Sequence, residues 1–145
     1  MSARDFELNL TRPSQNGVYF VGVRDLDRLA STASRDELCV RRIDLAGCHG
    51  KDELLRRLAT SLQLPDSFGH NWDALADCLR DLEWLAGWGH VLLFEHVDEL
   101  RQTAADDYDT LLGILDDAAT FGEENDRPWF AFLALPDSAF DHPSL

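Results

Sequence analysis

The amino-acid sequence predicts a single-domain, layered α/β fold, with a small parallel sheet of three or four strands packed with helices. Three observations lead there. Short β-rich runs alternate with longer stretches whose apolar residues recur at helical spacing, the pattern of strands joined through right-handed helical crossovers. Two runs, Val91-Leu92-Leu93-Phe94 and Trp129-Phe130-Ala131-Phe132-Leu133-Ala134-Leu135, are apolar throughout, as strands covered on both faces are. The 145 residues, 45% of them hydrophobic, suffice for one core and fall short of two ordinary domains.

In chain order, residues 1–16 are polar and end in Pro13-Ser14-Gln15-Asn16-Gly17, a loose arm running into a turn. Val18 to Val23 is β-rich and is followed by Asp25 to Ser34, where Leu26, Leu29, Ala30 and Ala33 keep helical spacing. This pair is expected to add an edge strand or to cover the sheet. Leu38 to Leu45 reads as a strand that Arg41 and Arg42 keep from being buried on both faces, and Gly47 ends it. From Lys51 to Leu62, Leu54, Leu55, Leu58, Ala59 and Leu62 form a helical core stripe with Arg56 and Arg57 outward. Beyond Gly87-Trp88-Gly89 and the first buried strand, Thr103 to Phe121 is the next helix. Ala104, Tyr108, Leu111, Leu112, Leu115, Ala118 and Ala119 are its core side, Asp106, Gly113 and Asp117 the opposite side, and Gly122 suits its C-terminal end. Pro128 precedes the second buried strand and Pro136 closes it. A disordered tail is expected after it.

The stretch from Leu64 to Leu79 carries the functional signal. Pro65 and Gly69 punctuate a loop, Asn71 suits an N-cap, and Asp73 in the first turn complements the exposed N–H groups, so a helix starts near Asn71. At 100° per residue, Trp72, Leu75, Ala76, Leu79 and Leu82 share one side; Asp73, Asp77, Arg80 and, if the helix runs that far, Trp84 face away. Carboxylates at i and i+4 repel by a few tenths of a kcal/mol, so helix stability does not account for Asp77. Either a positive surface meets the pair, or Asp73 serves the helix dipole and Asp77 is solvated surface.

The run Leu64-Pro65-Asp66-Ser67-Phe68-Gly69-His70-Asn71-Trp72-Asp73-Ala74-Leu75-Ala76-Asp77-Cys78-Leu79 resembles the barstar family of ribonuclease inhibitors. The signature of that family is Leu-Pro-x-x-aromatic-Gly-x-Asn-x-Asp-Ala-Leu-x-Asp-Cys-Leu. The likeness extends over about Leu38 to Leu135. It divides the chain into an N-terminal arm with an extra strand and helix (1–37), a barstar-like domain (38–136) and a flexible tail (137–145). It implies a small parallel sheet with helices against it, and an inhibitor rather than an enzyme. In the family, the loop and following helix plug the active-site cleft of a basic ribonuclease, with acidic groups standing in for substrate phosphates.

Carried over by position, the resemblance puts Asp73 and Asp77 at the two acidic sites of that helix. Asp117, counted back from Gly122, falls at a third. Gly69, Asn71 and Trp72 match loop and helix-start contacts, and Ile114 matches an apolar contact. The chain departs from barstar at Ser67, where the family member has a tyrosine, at Ala76 and Leu82, where it has tryptophans, at Arg80 for a threonine and at Phe121 for a glutamate. Three aromatic anchors are therefore changed, which points to a target other than barnase. The expected partner-binding set is Ser67, Gly69, Asn71, Trp72, Asp73, Ala76, Asp77, Arg80, Ile114 and Asp117.

Composition agrees with that class of partner. Twenty-seven acidic against 13 basic residues give a formal charge of −14, which opposes direct binding to nucleic acid or an anionic membrane and favours a basic protein; the resemblance implies that this partner is a basic extracellular-type ribonuclease. Cys39, Cys48 and Cys78 cannot all pair and have no CxxC spacing, as in a reducing compartment. No signal-peptide-like or membrane-length apolar run is present, so a cytoplasmic protein is expected. No cofactor or metal is expected: Cys48-His49 lacks a second ligand pair, and Gly47-Cys48-His49-Gly50 lacks phosphate-loop spacing. Asp73, Asp77 and His70 form no nucleophile–base set. The alternative to an inhibitor is an acidic adaptor for a basic protein that is not a nuclease.

Overall fold

The computed structural model describes residues 8–65, 68–82 and 87–136. Strands β1 (Gly17–Gly22), β2 (Cys39–Asp44), β3 (His90–Glu95) and β4 (Trp129–Leu135) form one sheet in the order β1-β4-β3-β2. All three pairings are parallel. Helices α1 (Asp25–Arg35), α2 (Lys51–Ser61), α3 (Trp72–Asp81), α4 (Asp98–Thr103) and α5 (Ala105–Glu124) pack around it. The predicted class, an α/β domain on a small parallel sheet, is the observed one.

The two apolar runs are the central strands, and every residue of β4 is buried. Their alternate side chains serve two cores. Leu92, Phe94, Ala131 and Leu133 meet α2, α3 and α5, whereas Val91, Leu93, Phe130, Phe132 and Ala134 meet Leu26, Leu29 and Ala33 of α1 and also Leu10. The N-terminal strand and helix thus do both things expected of them: β1 is an edge strand and α1 covers the second face.

Four local expectations change. Residues 9–16 are not a loose arm: Leu10 is buried, and the Asn16 amide donates to Ala119 O and Arg127 O and accepts from Trp129 N. The helix expected from Thr103 starts at Ala105, and a separate short helix, α4, ends at Thr103 before it, with Ala104 (φ −141°, ψ 63°) non-helical between them. α5 also runs past Gly122 to Glu124. Gly122 is there for close approach, since a Cβ would lie 3.0 Å from both Arg127 O and Trp129 Cβ. Finally, α3 stops at Asp81, so its exposed stripe does not reach Trp84 as a helix; Trp84, Ser67 and the tail 137–145 lie outside the described residues.

Candidate functional site

α3 begins where the loop chemistry requires. Asn71 is extended (φ −135°, ψ 168°) and its side-chain oxygen accepts from Ala74 N at 2.8 Å. Such a cap is worth about 1 kcal/mol. Gly69 leaves room for it, because a Cβ there would come within 3.0 Å of the Asn71 amide nitrogen. At the other end Leu82 takes the left-handed conformation (φ 49°) and its N–H closes on Cys78 O. That conformation costs a leucine about 1–2 kcal/mol, and complete burial of the side chain offsets it.

Leu75, Leu79 and Leu82 are the buried stripe, with Trp72, Ala74 and Cys78 packed against the same core. The stripe is centred further toward Cys78 than expected. Ala76 lies about 100° from Leu75, so it is at the boundary with the exposed face and not on the core side. Burial, reinforced by Asp77 and Asp81, raises the Cys78 pKa and leaves a neutral thiol. Cys48 is fully buried, and His49 beside it pairs with Glu99.

Asp73 and Asp77 are exposed, the Asp77 side chain 80% so, and Arg80 reaches Asp77 only at 3.9 Å. α3 packs beside α5, whose exposed face carries Asp117. Ile114, one turn earlier, is half-buried against the main core. A cavity of about 510 Å³ opens between the C-terminal ends of the two helices, lined by Asp77, Arg80 and Asp81 from α3, Phe121 and Gly122 from α5, and Asn125, Arg127, Trp129 and His90. Phe121 is four residues after Asp117, so Asp117 lies one turn along the same rim. Asp77 and Arg80 thus line the crevice, and Asp117 is exposed on α5 one turn before it. Gly69 and Asn71 sit at the start of α3, and Trp72 and Ile114 are turned partly inward.

His90, Arg127, Trp129 and Asp81 are cavity residues that the sequence reading did not single out. His90 carries a signal: it is an ionisable group heading the apolar run from Val91 to Phe94. It is 5% exposed, and burial first, then the Arg127 charge, push its pKa down to about 4, so it is neutral near pH 7. The Trp129 indole N–H donates to Leu79 O at 3.1 Å. Among the described residues, no three His, Cys, Asp or Glu side chains converge to hold a metal ion, and no helix is long and apolar enough to cross a membrane.

Among solved structures, Drosophila ORC bound to DNA is similar at 18% identity over 89% of this chain and 34% of that one, with a TM-score of 0.49. The Aeropyrum pernix ORC2 protein in its ADPNP–ADP complexes is similar at 16% identity over 86% of this chain and 35% of that one, with a TM-score of 0.50. This chain spans about a third of the length of either, and the second likeness concerns the fold alone. A comparison with curated protein sequences finds no match. The family model for barstar (barnase inhibitor) matches residues 38–134, which include β2, β3, most of β4 and both helices of the acidic rim. With more than half of its 145 residues matched, the chain belongs to the barstar family.

Proposed function

We propose that this chain is an intracellular ribonuclease inhibitor that closes the active-site cleft of a basic ribonuclease with the loop before α3, the outer face of α3 and the adjoining rim of α5. The observation that carries the reading is the placement of Asp73, Asp77 and Asp117, all exposed, on two helices packed side by side. Clefts that bind RNA phosphates do so with Arg, Lys and His, and a carboxylate on a rigid helix offers those groups charge-assisted hydrogen bonds without a scissile bond. The charge of −14 adds steering toward a cationic partner and opposes direct contact with nucleic acid. The remaining contacts are assigned to Ser67, Gly69, Asn71, Trp72, Ala76, Arg80 and Ile114. None of these residues is given a catalytic role. Titrating the chain into RNA cleavage by barnase and by other basic microbial ribonucleases tests the proposal. Stoichiometric inhibition of at least one, relieved by Asp77→Ala, is expected. Binding to a basic protein without RNA-cleaving activity, together with inhibition of none, would make the chain an adaptor instead.

A further inference from the structure

We propose that the cavity between the C-terminal ends of α3 and α5 is a socket for one aromatic side chain of the partner, a tyrosine. This rests on the reading that α3 faces a protein partner, because Asp77 and Arg80 belong to both the exposed stripe and the cavity wall. The lining selects the occupant. Asp77 and Asp81 are matched by Arg80 and Arg127, so neither an isolated cation nor an isolated anion gains a net opposite charge. Phe121, 41% exposed on a helix surface otherwise rich in carboxylates, and Trp129 line it with aromatic side chains. A volume of about 510 Å³ holds a ring with room for water.

His90 supplies the polar determinant. Its Nδ1 is sealed from solvent and has no hydrogen-bond partner among the described residues. A buried acceptor without a donor costs less than an unsatisfied N–H, which favours the tautomer with the proton on Nε2. As His90 lines the cavity, that donor calls for an acceptor on the occupant, and the phenolic oxygen provides one. Tyrosine is also among the side chains most used as anchors at the centre of interfaces.

The test uses the full chain alone, with the His90 imidazole and Trp129 indole followed by NMR while p-cresol, toluene, butylguanidinium or inorganic phosphate is added. Saturable shifts at both residues are expected with p-cresol, which should bind about threefold to tenfold tighter than toluene, the range given by one neutral hydrogen bond. His90→Phe should abolish that preference. Phe121→Ala, at an exposed position, should weaken p-cresol and toluene together. No saturable shift with p-cresol, or tighter binding of butylguanidinium or phosphate, would overturn the assignment. Because no ribonuclease is present, a chain that inhibits RNA cleavage yet ignores p-cresol refutes the socket alone. One that takes p-cresol yet inhibits no ribonuclease refutes the inhibitor reading alone.

Discussion

The two faces of the sheet are covered by different kinds of chain. On one face lie α2, α3 and α5, all inside the family-matched segment, and there Asp77 and Asp81 of α3 line a cavity that α5 borders. The other face is covered by α1 and Leu10, which precede that segment. Phe132 and Leu133 are neighbours on β4 that point to opposite faces, so one strand supports both coverings. Under the proposed function, the difference teaches that burial and recognition are separable: α1 would work through its inner side alone, and α3 through both.

The largest effect expected from breaking this contrast is on the covering side. Leu26→Ala removes a side chain 1% exposed beneath α1 and should cost about 2–5 kcal/mol in urea or thermal unfolding. Ribonuclease inhibition should be unchanged wherever the protein remains folded. Asp77→Ala should do the converse: stability within about 0.5 kcal/mol of the parent, and affinity for an inhibited ribonuclease reduced by about 2 kcal/mol or more by calorimetric titration. Equal loss of stability and affinity in either variant would erase the distinction.

A pH titration sharpens it. His90 has a folded pKa of about 4 against an ordinary 6.5, so between those values the unfolded chain holds more protons than the folded one. Stability should therefore rise with pH across that window and fall as pH drops from 6.5 toward 4, with a slope of up to about 1.4 kcal/mol per unit. The His90 contribution levels off below 4, where both states are protonated. His90→Phe should flatten the slope of the urea midpoint between pH 4 and 6.5; an unchanged slope would place the burden on another group.

The smallest effect concerns Arg80, whose 3.9 Å approach to Asp77 is an exposed pair worth about 0.2–0.5 kcal/mol to the helix. As a specificity residue, Arg80 should make Arg80→Thr bind the cognate ribonuclease more weakly and a generic basic ribonuclease more tightly. Parallel tightening of both would mean that Arg80 only masks Asp77.

Which of these features could be read in the sequence follows from how local their causes are. β3 and β4 announce themselves because burial on both faces leaves no polar position between Val91 and Phe94 or between Trp129 and Leu135. The start of α3 is legible because a cap is made within four residues, from Asn71 to Ala74. α4 is not, since it is six residues long, buries only Leu100 and ends at an alanine rather than at Gly or Pro. Leu82 occupies a left-handed position that local rules reserve for glycine, and only its burial explains it. Asn16 and Gly122 each acquire a role from chain more than a hundred or only a few residues away, through contacts that no spacing encodes. For the site, the acidic stripe of α3 was visible as a periodicity. The cavity beside it needs three separated segments to meet: residues 77–81, His90 and residues 121–129.

Gly17 of β1 pairs with Phe130 of β4, so the first strand takes its place beside the last. That edge joins segments more than a hundred residues apart in sequence, and until it closes the Phe130 and Phe132 side of β4 lacks its β1 neighbour. Contacts so remote in sequence carry a large loop-closure cost and form late. Docking of β1 and α1 against β4 is accordingly expected late in folding and early in unfolding. In stopped-flow experiments Leu26→Ala should accelerate unfolding and leave the refolding rate nearly untouched, whereas a variant that slowed refolding in proportion to its lost stability would move α1 into the nucleus.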